Sequence, residues 1–167
     1  SPRRIEIGTL SLGKVGFGLK DRFIQGRYSS LDRIDDVEFK RHYNLSAAPN
    51  SDQNLREINL DLIPAENISL ISKYGYIKQG DRFESDRINS VMKIGDGSNF
   101  SAEYNLDYVN SKNDDISTDW NRQNGSGYYS FGFIKPGFNF IYENKNDFFN
   151  DSLLATSLKY VETAPFV

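Results

Sequence analysis

The chain has 167 residues, with 20 basic and 23 acidic side chains, a net charge of −3, one histidine and no cysteine. That length accommodates one domain with a core but not two comfortable ones. The scattered charge excludes a basic face of the kind that binds nucleic acid, and the lack of cysteine excludes disulfides, thiolate nucleophiles and cysteine-type zinc sites.

In chain order, the N-terminal SPRRIEIGTL lacks the apolar core of a signal peptide, and no later run approaches the ~18 apolar residues of a membrane helix. A strand, a turn at Leu12-Gly13-Lys14 and a second strand are predicted next. The glycines of GKVGFGLK lack the G-x-G-x-x-G spacing and a following helix, so they mark bends or close backbone approach, not a phosphate cradle. In DRIDDVEFKRHYNL, alternation places Val37, Phe39 and Arg41 on one face and His42 on the polar one. His42 reads as an exposed strand residue, and no G-x-S-x-G elbow supports a nucleophilic triad. Asp35 and Asp36 are adjacent, point to opposite faces of a strand and make a poor catalytic pair.

After a turn in SAAPNSDQN, the segment REINLDLI sets Ile58, Leu60 and Leu62 on one side. Turns at IPAE and GDGSN flank the next strands, the second turn carrying Asp96, Ser98 and Asn99. FSAEYNLDYV then alternates almost perfectly, with Phe100, Ala102, Tyr104, Leu106 and Tyr108 opposite Ser101, Glu103, Asn105 and Asp107. The polar run from Asn110 to Gly127 is read as the longest loop. It carries Trp120 and Arg122, with Tyr128 just beyond, as candidate contacts for a ligand or partner. Trp120 there either stacks on a sugar or another molecule, or folds back over the open end of a sheet, the latter being slightly preferred. Asp114, Asp115 and Asp119 offer calcium-type oxygens without the EF-hand order, so a surface turn is favoured over a Ca2+ site and no cofactor is expected. YYSFGFIKPGFNFIYENK reads as a hairpin, with Tyr129, Phe131 and Phe133 entering a KPG turn and Phe138, Phe140 and Tyr142 leaving it. ENKND is read as a turn, and SLLATSLKYV as a strand aligning Leu154, Thr156, Leu158 and Tyr160.

One triplet recurs. Asp21-Arg22-Phe23 returns 60 positions later as Asp81-Arg82-Phe83, Tyr43-Asn44-Leu45 returns 61 positions later as Tyr104-Asn105-Leu106, and a looser copy starts at Asp147-Phe148-Phe149. The inferred module is strand, turn, strand, joint, strand, turn, strand, with the Asp-x-Phe joint structural: Phe on the apolar face, Asp and Arg against opposite charges on neighbouring strands.

Period-two alternation, 22 tyrosines and phenylalanines, and the absence of any 3.6-residue stripe predict one all-β domain over 1–167. The expected architecture is an antiparallel up-and-down meander of about ten strands, either barrel-like or an open or packed sheet, with a ~60-residue internal repeat. A start near one strand and a stop shortly after another lead us to expect a section of a larger protein.

FSAEYNLDYV and YYSFGFIKPGFNFIY resemble the hairpins of bacterial outer-membrane barrels, with aromatics on one face, a tight turn and then a polar segment. The resemblance covers about half the chain, and dyad alternation is shared with soluble sandwiches. Arg41 beside Val37 and Phe39, and a mean hydropathy of −0.59, weigh against a lipid-facing wall. The expected function is a non-catalytic structural or binding β-module of a larger bacterial envelope or surface protein, located in the cell envelope or outside the cell. Its expected partners are the remainder of its own chain or another envelope protein, with a glycan as a further candidate. A carbohydrate-binding module, a glycan-active enzyme built on Glu57, Asp61, Glu103 and Asp107, and a transmembrane barrel segment are the alternatives.

Overall fold

A computed structural model of the chain describes residues 3–12, 14–25 and 52–167. Ten strands form one antiparallel sheet: β1 (Arg3–Leu12), β2 (Val15–Ile24), β3 (Gln53–Ala65), β4 (Ile68–Gln79), β5 (Phe83–Gly95), β6 (Phe100–Asn113), β7 (Ile116–Tyr129), β8 (Gly137–Phe149), β9 (Ser152–Leu153) and β10 (Leu158–Phe166). Nine lie side by side in the order β1-β2-β3-β4-β5-β6-β7-β8-β10, while the two-residue β9 pairs only with β8. The expected all-β up-and-down meander is therefore present, as a single sheet that, among the described residues, does not close into a barrel. His42, the Asp35-Asp36 pair, Arg41 and the first Tyr-Asn-Leu copy lie outside the described residues.

Strands β3 to β8 run for 12 to 14 residues, about twice the usual length in globular proteins. Their register is unbroken from β4 to β8, so the period-two pattern of each strand is carried across the sheet. Leu62, Leu70, Met92, Tyr104, Gly125 and Phe140 form one continuous row on one face. Glycine at position 125 has a packing reason. A Cβ there meets the Phe140 ring at 2.3 Å, so the bare backbone lets Phe140 lie across β7 and stack on Tyr104 at a centroid separation of 6.1 Å.

The opposite face holds what core there is. Leu55, Ile77 and Val109 are at most 1% exposed and Phe83 is 5% exposed, near the end of the sheet where Ser85, Ser111, Thr118 and Asp147 are also buried. These side chains cluster on one face at the end of the sheet where β3 and β5 begin and β4, β6 and β8 end.

Four sequence expectations are corrected. Residues 110–127 are not a loop: β6 continues to Asn113, Asp114 and Asp115 turn the chain with Asp114 at φ 48, and β7 runs through the rest. Apolar alternation was missing there because both faces are polar, yet the amides and hydroxyls bond across strands as well as an apolar ladder packs. ENKND lies within β8, for the same reason. SLLATSLKYV is interrupted, because Thr156 Oγ1 donates to the Asp147 carboxylate at 2.9 Å and Ser157 Oγ accepts from the Asp147 backbone N–H at 3.1 Å, which holds residues 154–157 in a turn between β9 and β10. The aromatic hairpin is also shorter than expected: β7 stops at Tyr129, and Gly132 at φ 67 makes a tight turn bridged by Phe131 and Ile134, leaving Phe133 exposed.

The Asp-Arg-Phe copies do not occupy equivalent places. Asp21-Arg22-Phe23 lies within β2, where Asp21 stands opposite Arg56 and Phe23 shares the face of Phe17. Asp81 and Arg82 instead sit in the β4–β5 turn, and Phe83 opens β5 buried on the other face. Asp147-Phe148-Phe149 closes β8.

Candidate functional site

The two faces of the sheet differ in kind. One, the apolar face, carries Val15, Phe17 and Leu19 on β2, Ile58, Leu60 and Leu62 on β3, and Ile88, Met92 and Ile94 on β5, with the Phe100-to-Tyr108 series on β6. Along β6 this band spans eight residue steps, about 27 Å at ~3.4 Å per residue. It is open: Phe17, Ile58, Ile88, Met92, Phe100 and Phe138 are each between 38% and 56% exposed. Aromatic rings border it at both ends. On one side stand Phe100, Tyr129 and Phe138; on the other, Tyr74, Tyr76 and Tyr108. Two hydroxyls of this second group lean away from the band, Tyr74 donating to Asp86 and Tyr108 to Asp119 at 3.2 Å. Beyond them the same face turns polar, through Arg56, Asp86, Asn110 and Asp119.

The other, polar face is crossed by ion pairs. Lys20 meets Glu57 at 2.6 Å, Asp107 lies between Arg87 at 2.8 Å and Arg122, Lys93 meets Glu103 at 3.1 Å, and Lys145 meets Asp147 at 3.2 Å. Asp107 and Arg87 are each only 13% exposed in their side chains, so their forked contact is shielded from water. Two open pockets of about 310 and 220 Å³ share Asn105, Asn124 and Ile141 over β6 to β8.

Trp120, Arg122 and Tyr128 all project from β7 onto this polar face. Trp120 and Arg122 are brought together: the guanidinium lies 4.1 Å from the indole centroid, Lys145 lies 5.7 Å from it, and the indole N–H donates to Glu143 at 2.6 Å. Both cations occupy the ring that a sugar needs. Tyr128 is not part of this group; six residues along the strand, it donates to the Gly97 carbonyl at 2.7 Å beside Lys135. Asp114 and Asp115 sit at the β6–β7 turn while Asp119 is engaged by Tyr108 and Asn110, so the three carboxylates do not converge as a calcium site. No group of three metal-ligating His, Cys, Asp or Glu residues occurs among the described residues.

Glu57, Asp61, Glu103 and Asp107 share the polar face, as alternation predicts. Two strands separate β3 from β6, so the pairs stand about 14 Å apart at ~4.8 Å per strand. Glycosidic carboxylates stand about 5–9.5 Å apart. Three of these four carboxylates are also held by cations.

Asp96, read from the sequence as part of the GDGSN turn with Ser98 and Asn99, is the residue that organises that turn. Its Oδ1 accepts the backbone N–H groups of Ser98 at 2.9 Å, Asn99 at 2.8 Å and Phe100 at 3.2 Å, and these bonds hold its carboxyl well below the usual carboxylate range. The GDGSN composition signalled a turn, and Asp followed by small residues was the signal for this carboxylate-centred one. No helix among the described residues is long and apolar enough to cross a membrane, which leaves crossing by strands open. Comparison with protein-family models, curated proteins and solved structures returns no match for the chain.

Proposed function

We propose that this chain is a non-catalytic structural β-module of an envelope protein, and that its sheet is a section of the wall of a membrane-spanning β-barrel. The apolar face meets lipid and the polar face lines the interior. The observation that carries this reading is the exposed apolar band on β2 to β6 and β8, bordered by aromatics at both ends and crossed at β7 by Asn121 and Gln123, backed on the opposite side by a face of ion pairs. Lipid-facing bands of such barrels are about 25 Å tall with aromatic girdles, and their interiors are polar. A single sheet in water gains nothing by exposing Phe17, Ile58, Met92 and Phe138 together.

Mean hydropathy does not weigh against this, because half the residues of each strand face the interior. Polar composition is what a one-layer wall with two unlike faces requires. The sugar-platform role considered for Trp120 loses support from the two cations stacked on its ring.

The test is a pair of substitutions at the mid-band level. Met92→Arg should lower unfolding stability in phospholipid vesicles by about 2–4 kcal/mol, the cost of a cation facing lipid at mid-depth. Asn105→Arg, on the polar face, should change it by under ~1 kcal/mol. Equal small effects, with the chain monodisperse in water without detergent, would sink the barrel reading in favour of a water-soluble sheet.

A further inference from the structure

The polar face has one region whose hydrogen-bonding capacity is unspent. Between β5 and β8 every charged side chain of that face is engaged: Arg87 and Arg122 by Asp107, Lys93 by Glu103, Lys145 by Asp147, and Glu143 by the Trp120 indole. Two residues beyond Arg122 along β7 the pattern changes. Asn105 stands opposite Asn124, Ser126 stands opposite Asn139, and Asn124 and Ser126 follow each other on the same face of β7. These four neutral side chains therefore meet at spacings of about 5 Å across strands and ~7 Å along them. Asn124, Ser126 and Asn139 are exposed and their side chains have no hydrogen-bond partner among the described residues. Asn105 uses only its Oδ1, which accepts from Asn89 at 3.2 Å.

The open pocket of about 310 Å³ lies over this quartet. Its size is at the lower end of the ~300–1,000 Å³ of ligand pockets. Glu103, opposite Ser126, and Glu162, opposite Ile141, stand at its two sides, and the exposed Ile141 lies between Asn124 and Glu162.

The chemistry of this set selects among ligand classes. An anion is repelled by Glu103 and Glu162, the second of which has no cationic partner among the described residues. A divalent cation needs several oxygen ligands about one point, and the two carboxylates stand three strands apart, about 14 Å at ~4.8 Å per strand. An apolar ligand would leave the amides and the hydroxyl unpaired beneath it. A neutral molecule rich in hydroxyls satisfies all of them. Each of its hydroxyls both donates and accepts, an Asn amide offers an acceptor and two donors in one plane, and a carboxylate accepts strongly. Ile141 adds a contact for the C–H face of a ring.

We propose that this patch is a binding site for a neutral saccharide. Asn105, Asn124, Ser126 and Asn139 bond its hydroxyls, and Glu103 and Glu162 accept from its edges. The site is separate from Trp120, whose ring is covered by Arg122 and Lys145. It does not depend on what the apolar face meets, and within a barrel wall it faces the interior.

The test uses the full protein in a detergent without a sugar head group. The neutral probes are maltohexaose, cellohexaose and chitohexaose, and hexagalacturonate is the acidic one. The expected result is that a neutral probe binds with a Kd of ~1 mM or tighter and shifts the side-chain amide NMR signals of Asn105, Asn124 and Asn139, while hexagalacturonate binds at least ~10-fold more weakly. Asn124→Leu and Asn139→Leu should each weaken binding about tenfold, and Asp61→Asn, on the same face of β3 outside the pocket, should leave it unchanged. Circular dichroism checks that each variant is folded. Where a Leu variant is not, the location of the shifts in the unsubstituted protein still decides. Binding of no neutral probe, a preference for hexagalacturonate, shifts centred on Trp120 and not on the three asparagines, or full affinity in the folded Leu variants would each overturn the proposal.

Discussion

Asp96 and Gly125 are the residues at which local chemistry is least replaceable. Asp96 organises the β5–β6 turn by gathering three backbone N–H groups on one carboxylate oxygen, while Gly95 and Gly97 take the positive φ angles of 136° and 75° that the turn needs. Its folded acidity is greater than that of an unfolded Asp, whose pKa is about 3.9. The resulting stabilisation is fully present above about pH 4 and is lost as pH falls through the folded value. Carbon-detected titration of the Asp96 carboxyl should therefore show no protonation between pH 7 and about pH 4, whereas an ordinary midpoint near ~3.9 would contradict the three bonds. At Gly125 the prediction is steric. Gly125→Val drives the Phe140 ring off Tyr104 and should cost about 1–3 kcal/mol in denaturant unfolding, and a neutral result would mean that the ring has another place to lie.

At the scale of strands, the Arg87–Asp107–Arg122 triad ties β5, β6 and β7 together on the polar face. Asp107→Ala leaves two guanidinium groups facing each other in a shielded place. The expected loss is about 2–3 kcal/mol, reduced from the ~3–5 of a fully buried pair because Arg122 is nearly a third exposed. Chemical denaturation measures it, and an unchanged midpoint would show that water satisfies both arginines. The same strands show where sequence was legible. β6 could be read because its apolar residues fall on every second position over a long run. β7 could not, because Ser117, Asp119, Asn121 and Gln123 on one face oppose Thr118, Trp120, Arg122 and Asn124 on the other. Alternation between two polar sets leaves no hydropathy signal, and its order comes from neighbours such as Asp107 and Glu143 that are distant in sequence. Trp120, Arg122 and Tyr128 were read as candidate contacts for a ligand or partner; that Trp120 lies against Arg122 and Lys145 and donates to Glu143 depends on β8 and had no local signal.

For the whole molecule, the meander from β3 to β8 follows from short connections between strands of similar length, since consecutive strands joined this way pair with each other. Turn chemistry at Glu66–Asn67, Gly95–Asn99 and Asp114–Asp115 sets that order. Whether the sheet packs on a second layer, closes or stays open was not legible, because these outcomes depend on what meets the exposed band and not on any single strand. The fate of that apolar face is the central claim. Single cysteines placed in turn at positions 101 to 107 of β6, spin-labelled in phospholipid vesicles, would report contact with oxygen from the bilayer and with a nickel chelate from water. The account predicts period two: positions 102, 104 and 106 favour oxygen, and positions 101, 103, 105 and 107 favour the chelate. Uniform access of the chelate to both sets would contradict it.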